Sequence, residues 1–324
     1  MTFTRRFALA AIAAGTTALA ASTAHAQSYP DKQITFIVPF AAGSATDQLA
    51  RALGNAVTAE TKQAVVVDNK PGANAFIGAQ AAAKAPKDGY TVFITTNTTQ
   101  AANEHLYKKL PYDPVKDFEP VALLSKGGQV LVVNNSLPVN SVEDLIKYAR
   151  ANPGKLSFGS GSSSSRIAGE QFKQMTGSFI VNIPYRSNPP AVTDLIGGQI
   201  QLMFTDMATG MPQVKGGKVK ALGVSTSKRL PLAPEIPTIA EAGVKGYENT
   251  FWFAAYVPAG TPAPVIARLS EILAKANKSQ AVSTFYASVG FEPLAGTPDE
   301  LRKFQAAESQ KWAKIVGGAG IQKE

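Results

Sequence analysis

The residues best suited to chemistry stand in two stretches built on one plan. In the first, Phe36 to Asp47, the apolar residues Phe36, Ile37 and Val38, with Phe40 beyond Pro39, read as a buried strand that stops at proline. The strand opens into nearly side-chain-free residues, Ala41 to Ala45. Thr46 and Asp47 are good N-caps for a helix expected from Gln48 to Thr58, whose Leu49, Leu53 and Val57 share one face. A strand that ends on a helix N-terminus leaves unpaired N–H groups and a positive dipole end facing solvent, a place for an anion. The second stretch runs from Lys155-Leu156-Ser157-Phe158 through Gly159 and the serine-rich run Ser160 to Ser165 into a helix expected from about Arg166 to Met175. Either loop alone is as readily an ordinary strand-to-helix turn; together they predict two lobes that share one ligand cleft.

The candidate binding groups follow from these stretches. The first supplies Phe40 as an apolar wall, with Ala42, Gly43, Ser44, Thr46 and Asp47. The second supplies Ser160, Gly161, Ser162, Ser163, Ser164 and Ser165, and then Arg166, whose guanidinium is placed to grip a carboxylate bidentately or simply to face solvent. Asn97 lies in the polar run Thr95 to Gln100 at another strand end, where ligand contact and capping of the next helix are equal readings. Tyr185 is placed to close the cleft or to pack a crossover. Asp206, ending a strand beside Thr205, accepts either from a ligand hydroxyl or amine or from the backbone following Met207.

What is missing narrows the chemistry to binding. Past residue 26 the one histidine is His105, far from either loop, so a Ser-His-Asp arrangement has no base at hand, and no catalytic residue is assigned. There is no cysteine, no H-E-x-x-H and no calcium-loop pattern, so no metal is expected. Gly159-Ser160-Gly161 begins like a dinucleotide fingerprint, but Ser164 takes the third glycine position and Ile183-Pro184 stand where an acid would end the next strand, so no cofactor is expected.

The elements needed to position these groups read as α/β. Ala64 to Asp68 is a second strand, Ile77 to Ala85 an alanine-rich helix and Tyr90 to Thr95 a third strand, a βαβαβ order that predicts a mostly parallel sheet with ligands at the carboxyl ends of its strands. Glu119 to Asn134 reads as a long strand crossing into a second lobe. There a helix Val142 to Ala151, the serine loop and its helix, a strand Ile180 to Ile183, a helix Ala191 to Ile196 and a strand Ile200 to Phe204 follow. Val219 to Ser225 is expected to return, and amphipathic helices Ala263 to Ala276 and Thr297 to Val316 to close the first lobe. The expected division is 1–26 a leader, 27–124 plus 226–324 the first lobe, and 125–225 the second, joined by two crossover hinge strands that let the lobes close on a ligand.

Arg5 and Arg6 precede an apolar run from Phe7 to Ala21, and Ala24-His25-Ala26 fits a cleavage site, so a signal peptide is expected, cut after Ala26, with general secretory export to the periplasm. An exported chain without cysteine is stabilised by packing alone, and its 45% hydrophobic residues suffice for sizeable cores. The formal charge of +9 loses the two leader arginines, and the remaining basic residues are scattered without a run, which argues against nucleic acid and leaves a mild field favouring anions.

Tyr29-Pro30-Asp31-Lys32, Val38 to Gly43, Asp68 to Ala73, Lys87-Asp88-Gly89-Tyr90-Thr91, Phe158 to Gly161, Pro184-Tyr185-Arg186, Pro237 to Gly243 and Pro258 to Pro262 occur in that order. With them the chain resembles the Bug family, the extracytoplasmic solute-binding receptors of tripartite tricarboxylate transporters. The resemblance covers essentially everything after the leader. It implies a two-lobe periplasmic-binding fold, a monomer that holds a carboxylate between Phe40 to Asp47 and Ser160 to Ser165, with Asp206 at an acidic lining position, and a membrane permease as partner. The sequence departs from the family where Ser44 replaces a glycine, Arg166 a histidine and Ser187 a glycine. Arg166 and Ser44, with Phe40, suggest a ligand with two separated anionic ends, such as an aromatic dicarboxylate. A transport receptor, a periplasmic sensor or adaptor, and a secreted hydrolase short of a general base are the functional alternatives.

Overall fold

The computed structural model describes residues 29–324, so the expected leader at 1–26 lies outside the described residues. Everything below belongs to one compact unit, Lys32–Glu324. The first lobe begins with β1 (Ile34–Val38), α1 (Ala45–Thr61), β2 (Val65–Asn69), α2 (Phe76–Ala83) and β3 (Thr91–Thr96), and β1 pairs in parallel with both β2 and β3. This is the expected βαβαβ unit. A π turn, Thr98–Ala102, and a short α3 (Asn103–Leu106) follow.

Helix α1 starts earlier than the apolar pattern suggests. Ser44 is extended, with ψ 159°, and its Oγ accepts from Asp47 N at 3.3 Å, so Ser44 is the cap while Thr46 and Asp47 sit in the first turn. A carboxylate in that turn complements the dipole, so nothing favours delaying the helix to Gln48. Leu49, Leu53 and Val57 are fully buried, at about 1.5–3 kcal/mol of apolar transfer each, which fixes the helix against the sheet.

β4 (Phe118–Asn134) is a single long strand shared by both lobes. Its first part pairs antiparallel with β9 (Thr250–Pro258), down to Gly128 opposite Thr250, and from Gln129 onward it pairs with β7 (Leu202–Asp206) and, from Val130, with β8 (Val219–Val224). A Cβ on Gly128 would overlap the Thr226 side chain, which accounts for glycine at the handover. In the second lobe the alternation along β4 sends Leu131 and Val133 into one core with Phe158, Phe172 and Phe204. Val130 and Val132 enter another with Met203, Met207 and Leu195. A sheet covered on both faces explains why the strand reads as an unbroken apolar run.

The second lobe carries α4 (Val142–Ala151), β5 (Ser157–Ser160), α5 (Ser163–Thr176), β6 (Val181–Pro184), α6 (Asn188–Ile196), β7, α7 (Met207–Lys215) and β8. α8 (Ala263–Asn277), α9 (Gln280–Val289), β10 (Glu292–Pro293) and α10 (Pro298–Gly318) follow β9, and the strands run β2-β1-β3-β9-β4-β7-β5-β6. The return crossing differs from expectation. β8 stays in the second lobe, and the strand that comes back is β9. Between them, Ile239, Val244 and Tyr247 pack into the second lobe's core: Tyr247 stacks on Phe204 at 6.1 Å between ring centroids and donates to Ala168 O at 2.9 Å. By packing, residues 226–249 therefore go with the second lobe, because Val219 to Ser225 is as apolar as a hinge strand yet finds its partners on β4.

Candidate functional site

The carboxyl ends of β1, β3, β5 and β7 and the turn after β6 meet at one cavity between the lobes, about 390 Å³ including its mouth. The first lobe contributes Phe40, Ser44, Ala45, Thr46 and Thr96, with Phe251 and Phe253 of β9; the second contributes Gly161, Ser162, Ser164, Ser187, Asn188 and Asp206. Gln129 enters from the handover point of β4. Placement at strand carboxyl ends is where ligands of α/β sheets sit.

Four helices begin at this cavity. Ser44 caps α1. Ser162 caps α5, its Oγ accepting from Ser165 N at 3.2 Å. Ser187 caps α6 without using its hydroxyl, and Asp206 caps α7 by accepting from Thr209 N at 2.8 Å. Each start leaves further N–H groups unpaired and presents about half a positive charge. No lysine, arginine or histidine lines the cavity. The arrangement therefore suits an anion held by backbone groups and hydroxyls between apolar walls of Phe40, Phe251 and Phe253.

The serine loop is shorter than the sequence suggested, because Ser163, Ser164 and Ser165 already form the first turn of α5. Gly161 makes the loop possible. A Cβ there would meet Asn188 Oδ1 at 2.5 Å and press on the backbone of Ser187 and Asn188, so only glycine lets the starts of α5 and α6 touch.

Of the residues read from the sequence, Phe40, Ser44, Thr46, Gly161, Ser162, Ser164 and Asp206 line the cavity. Arg166 does not. It lies about 200° around α5 from Ser164 and lines a neighbouring cavity with Tyr185 and Ser160, where its Nη2 stands 2.6 Å from Glu324 Oε1. Tyr185 donates to Asp194 Oδ2 at 2.7 Å; partial burial and that carboxylate push its phenol up to about 12. Ser160 donates to Asn182 Oδ1 at 2.7 Å. Ser163 joins the lobes: its Oγ donates to Asn103 Oδ1 at 2.6 Å and accepts from Asn74 Nδ2 at 2.8 Å. Ser165 donates to Phe204 O, and Asp47 accepts from Gly43 N at 2.9 Å and Arg51 Nε at 3.1 Å, bracing the first loop from outside the cavity. Ala42 and Gly43 are exposed, and Asn97 is fully buried away from the cavity lining.

Gln129, Asn188 and Phe253 were not singled out from the sequence, whereas Thr96 belongs to the polar run Thr95 to Gln100 and Phe251 to a segment, Thr250-Phe251-Trp252, whose rings read more readily as core than as ligand wall. Gln129 carried a signal, as a polar residue inside an apolar strand. It is 2% exposed, and its Nε2 donates to Ser164 O and Asn249 Oδ1, both at 3.1 Å. Asp206 is the cavity's one ionisable group, and burial holds its carboxyl above the ordinary carboxylate range despite hydrogen bonds from Asn188 and Thr209. Among the described residues, no group of histidines and acids is arranged to hold a metal, and no helix is long and apolar enough to cross a membrane.

Comparison with known proteins agrees with this geometry. The chain is 35% identical to the protein BugT of Bordetella pertussis over 99% of both chains. It is 34% identical to a protein encoded in the tcbD-tcbE intergenic region of Pseudomonas sp. strain P51, over 96% of this chain and 94% of that one. Among solved structures it superposes on R. palustris Rpa4515 with adipate, with a TM-score of 0.88, 37% identity, and coverage of 91% of this chain and 100% of that one. It also superposes on the periplasmic binding protein BugD, with a TM-score of 0.87, 32% identity, and coverage of 91% and 100%. MatC from Rhodopseudomonas palustris with bound malate gives a TM-score of 0.83 at 28% identity, over 89% of this chain and 100% of that one. Residues 49–321 match the model of the tripartite tricarboxylate transporter family receptor, and the chain belongs to that Bug-type family of solute-binding proteins, which are not enzymes.

Proposed function

We propose that the chain is an exported receptor, cut after Ala26, that captures a small dicarboxylate in the cavity between its lobes and delivers it, as a monomer in the periplasm, to the permease of a tripartite tricarboxylate transporter. The observation that carries this reading is the convergence of four helix starts on one cavity that holds no cation. Oriented N–H groups bind a carboxylate while keeping it releasable, because they stabilise the charge without a bidentate ion pair. The rings of Phe40, Phe251 and Phe253 suit a methylene chain or an aromatic spacer between two polar ends. The adipate and malate bound by similar proteins support the dicarboxylate class. The two β-strand crossings at β4 and β9 support closure around the ligand.

The test is a thermal-shift screen of the chain from Gln27 to Glu324 against aliphatic and aromatic mono-, di- and tricarboxylates, with calorimetry on each hit. A ligand at a hundredfold excess over its Kd adds about 2.7 kcal/mol of stability. One-to-one binding without product, together with loss of uptake of that acid in cells lacking the chain, is the expected result. Failure of every acid to bind would overturn the reading. A periplasmic chain whose N-terminal peptide does not begin at Gln27 would overturn the processing.

A further inference from the structure

The cavity is polar in two different ways. Around Ser44 to Thr46 and Ser162 to Ser164 it offers donors, the unpaired N–H groups of α1 and α5. Around Asp206 it adds acceptors, beside the starts of α6 and α7 and the unpartnered Ser187 hydroxyl. Asp206 is 5% exposed, its Oδ2 accepts from Asn188 Nδ2 at 2.7 Å and its Oδ1 from Thr209 N at 2.8 Å. Asn188 is 9% exposed and its Oδ1 has no partner. Gln129, 2% exposed and directly opposite Asp206 in the β4–β7 register, likewise has an unpartnered Oε1. Both amides are oriented by their neighbours: Asn188 Nδ2 by the Asp206 carboxylate, and Gln129 Nε2 by two oxygens. Buried acceptors without donors are costly, so this end is built for a group that brings hydrogen.

No cationic side chain lines the cavity, and Arg186, on the turn just before Ser187, is exposed. On the neighbouring elements Asp47 and Arg51 pair on α1, Arg166 is taken by Glu324 and Lys126 by Glu292, and Asp194 accepts from Tyr185. Lys220 of β8 is held by Leu137 O and Val139 O, Lys215 sits in the last turn of α7, and α9 carries no charged residue. A ligand dianion would therefore set a second carboxylate beside a buried one with no cationic side chain to offset the repulsion, only the starts of α6 and α7 and the Ser187 hydroxyl.

Building on the receptor reading, we infer that Asp206 makes capture proton-coupled: a dicarboxylate binds with one proton taken from solvent, shared between its far carboxyl and Asp206, while its near carboxylate lies on the helix starts. The ligand class deepens accordingly, to a carboxylate with a hydrogen-bond donor at its other end. A half-amide brings its own N–H donors and needs no proton.

The test uses the mature chain with adipate and with the monoamide of adipic acid, titrated calorimetrically in buffers of different ionisation heat between about pH 6 and about pH 9. Adipate binding is expected to take up close to one proton at the alkaline end, with affinity falling about tenfold per pH unit there. The monoamide is expected to bind with no uptake and a flat profile. Asp206→Asn, which offers a donor in place of the carboxylate, is expected to flatten the adipate profile. Zero uptake with adipate across the whole range, or a monoamide profile as steep as that of adipate, would overturn the inference while leaving the receptor reading intact. Absence of binding by any acid would overturn both.

Discussion

Adding one methyl group at Gly161 tests how the site is assembled. Gly161 does not have a positive φ, so Gly161→Ala introduces no backbone strain and isolates the steric effect. The new Cβ would overlap Asn188 N and Ser187 C and stand 2.5 Å from Asn188 Oδ1. Two of these are backbone atoms and cannot rotate aside, so the starts of α5 and α6 must separate. Overpacking of this kind costs about 1–3 kcal/mol of stability. The same displacement moves Ser162 away from Ser187 and Asn188 across the cavity, and losing one charge-assisted hydrogen bond of about 1.5–3 kcal/mol weakens binding roughly 10- to 100-fold. Urea unfolding measures the first quantity and calorimetry with the best acid the second. Gly246→Ala is the control: with φ 79° and nothing within 4 Å, it should cost about 1 kcal/mol and leave affinity unchanged. Wild-type affinity in Gly161→Ala would refute the idea that contact between the two helix starts shapes the site.

Two further perturbations discriminate between groups near the cleft. Arg166→Ala removes an ion pair with a Glu324 side chain that is 59% exposed, so stability should change by less than about 1 kcal/mol. Because Arg166 lies outside the cavity, adipate affinity should move less than about threefold, and a loss beyond about tenfold would mean a second anionic end reaches the guanidinium. Asp206→Asn tests the buried carboxyl in the unliganded protein. With the folded pKa raised above the ordinary 3.8, the folded state retains a proton that the unfolded chain has lost, so wild-type stability falls as pH rises through that window. The variant should gain on the wild type as pH rises above the ordinary carboxylate value of 3.8 in parallel urea titrations, and a difference constant with pH would refute the shift.

Local pattern carried much of this protein. The βαβαβ order, the buried face of Leu49, Leu53 and Val57, helix α4, the long crossing strand and the family motifs are short-range signals, and each is present in the sequence without reference to anything distant. The absence of cysteine and of a usable base likewise confined the chemistry to binding from composition alone. Phase and long-range pairing were not written locally. Whether α5 begins at Ser163 or at Arg166 decides which side chains face the cleft, and that start depends on Ser162 capping against a loop that only Gly161 allows to pack on Asn188. Arg166 therefore turned out of the cavity, although its residue type was right for an anion. Gln129 became a lining residue because antiparallel pairing set it opposite Asp206, and Phe251 and Phe253 because β9, rather than β8, returns to the first lobe. Strand partners far apart in the chain are chosen by burial on both faces of the sheet, so only the assembled tertiary structure decided which of the legible loops' residues meet at the cavity.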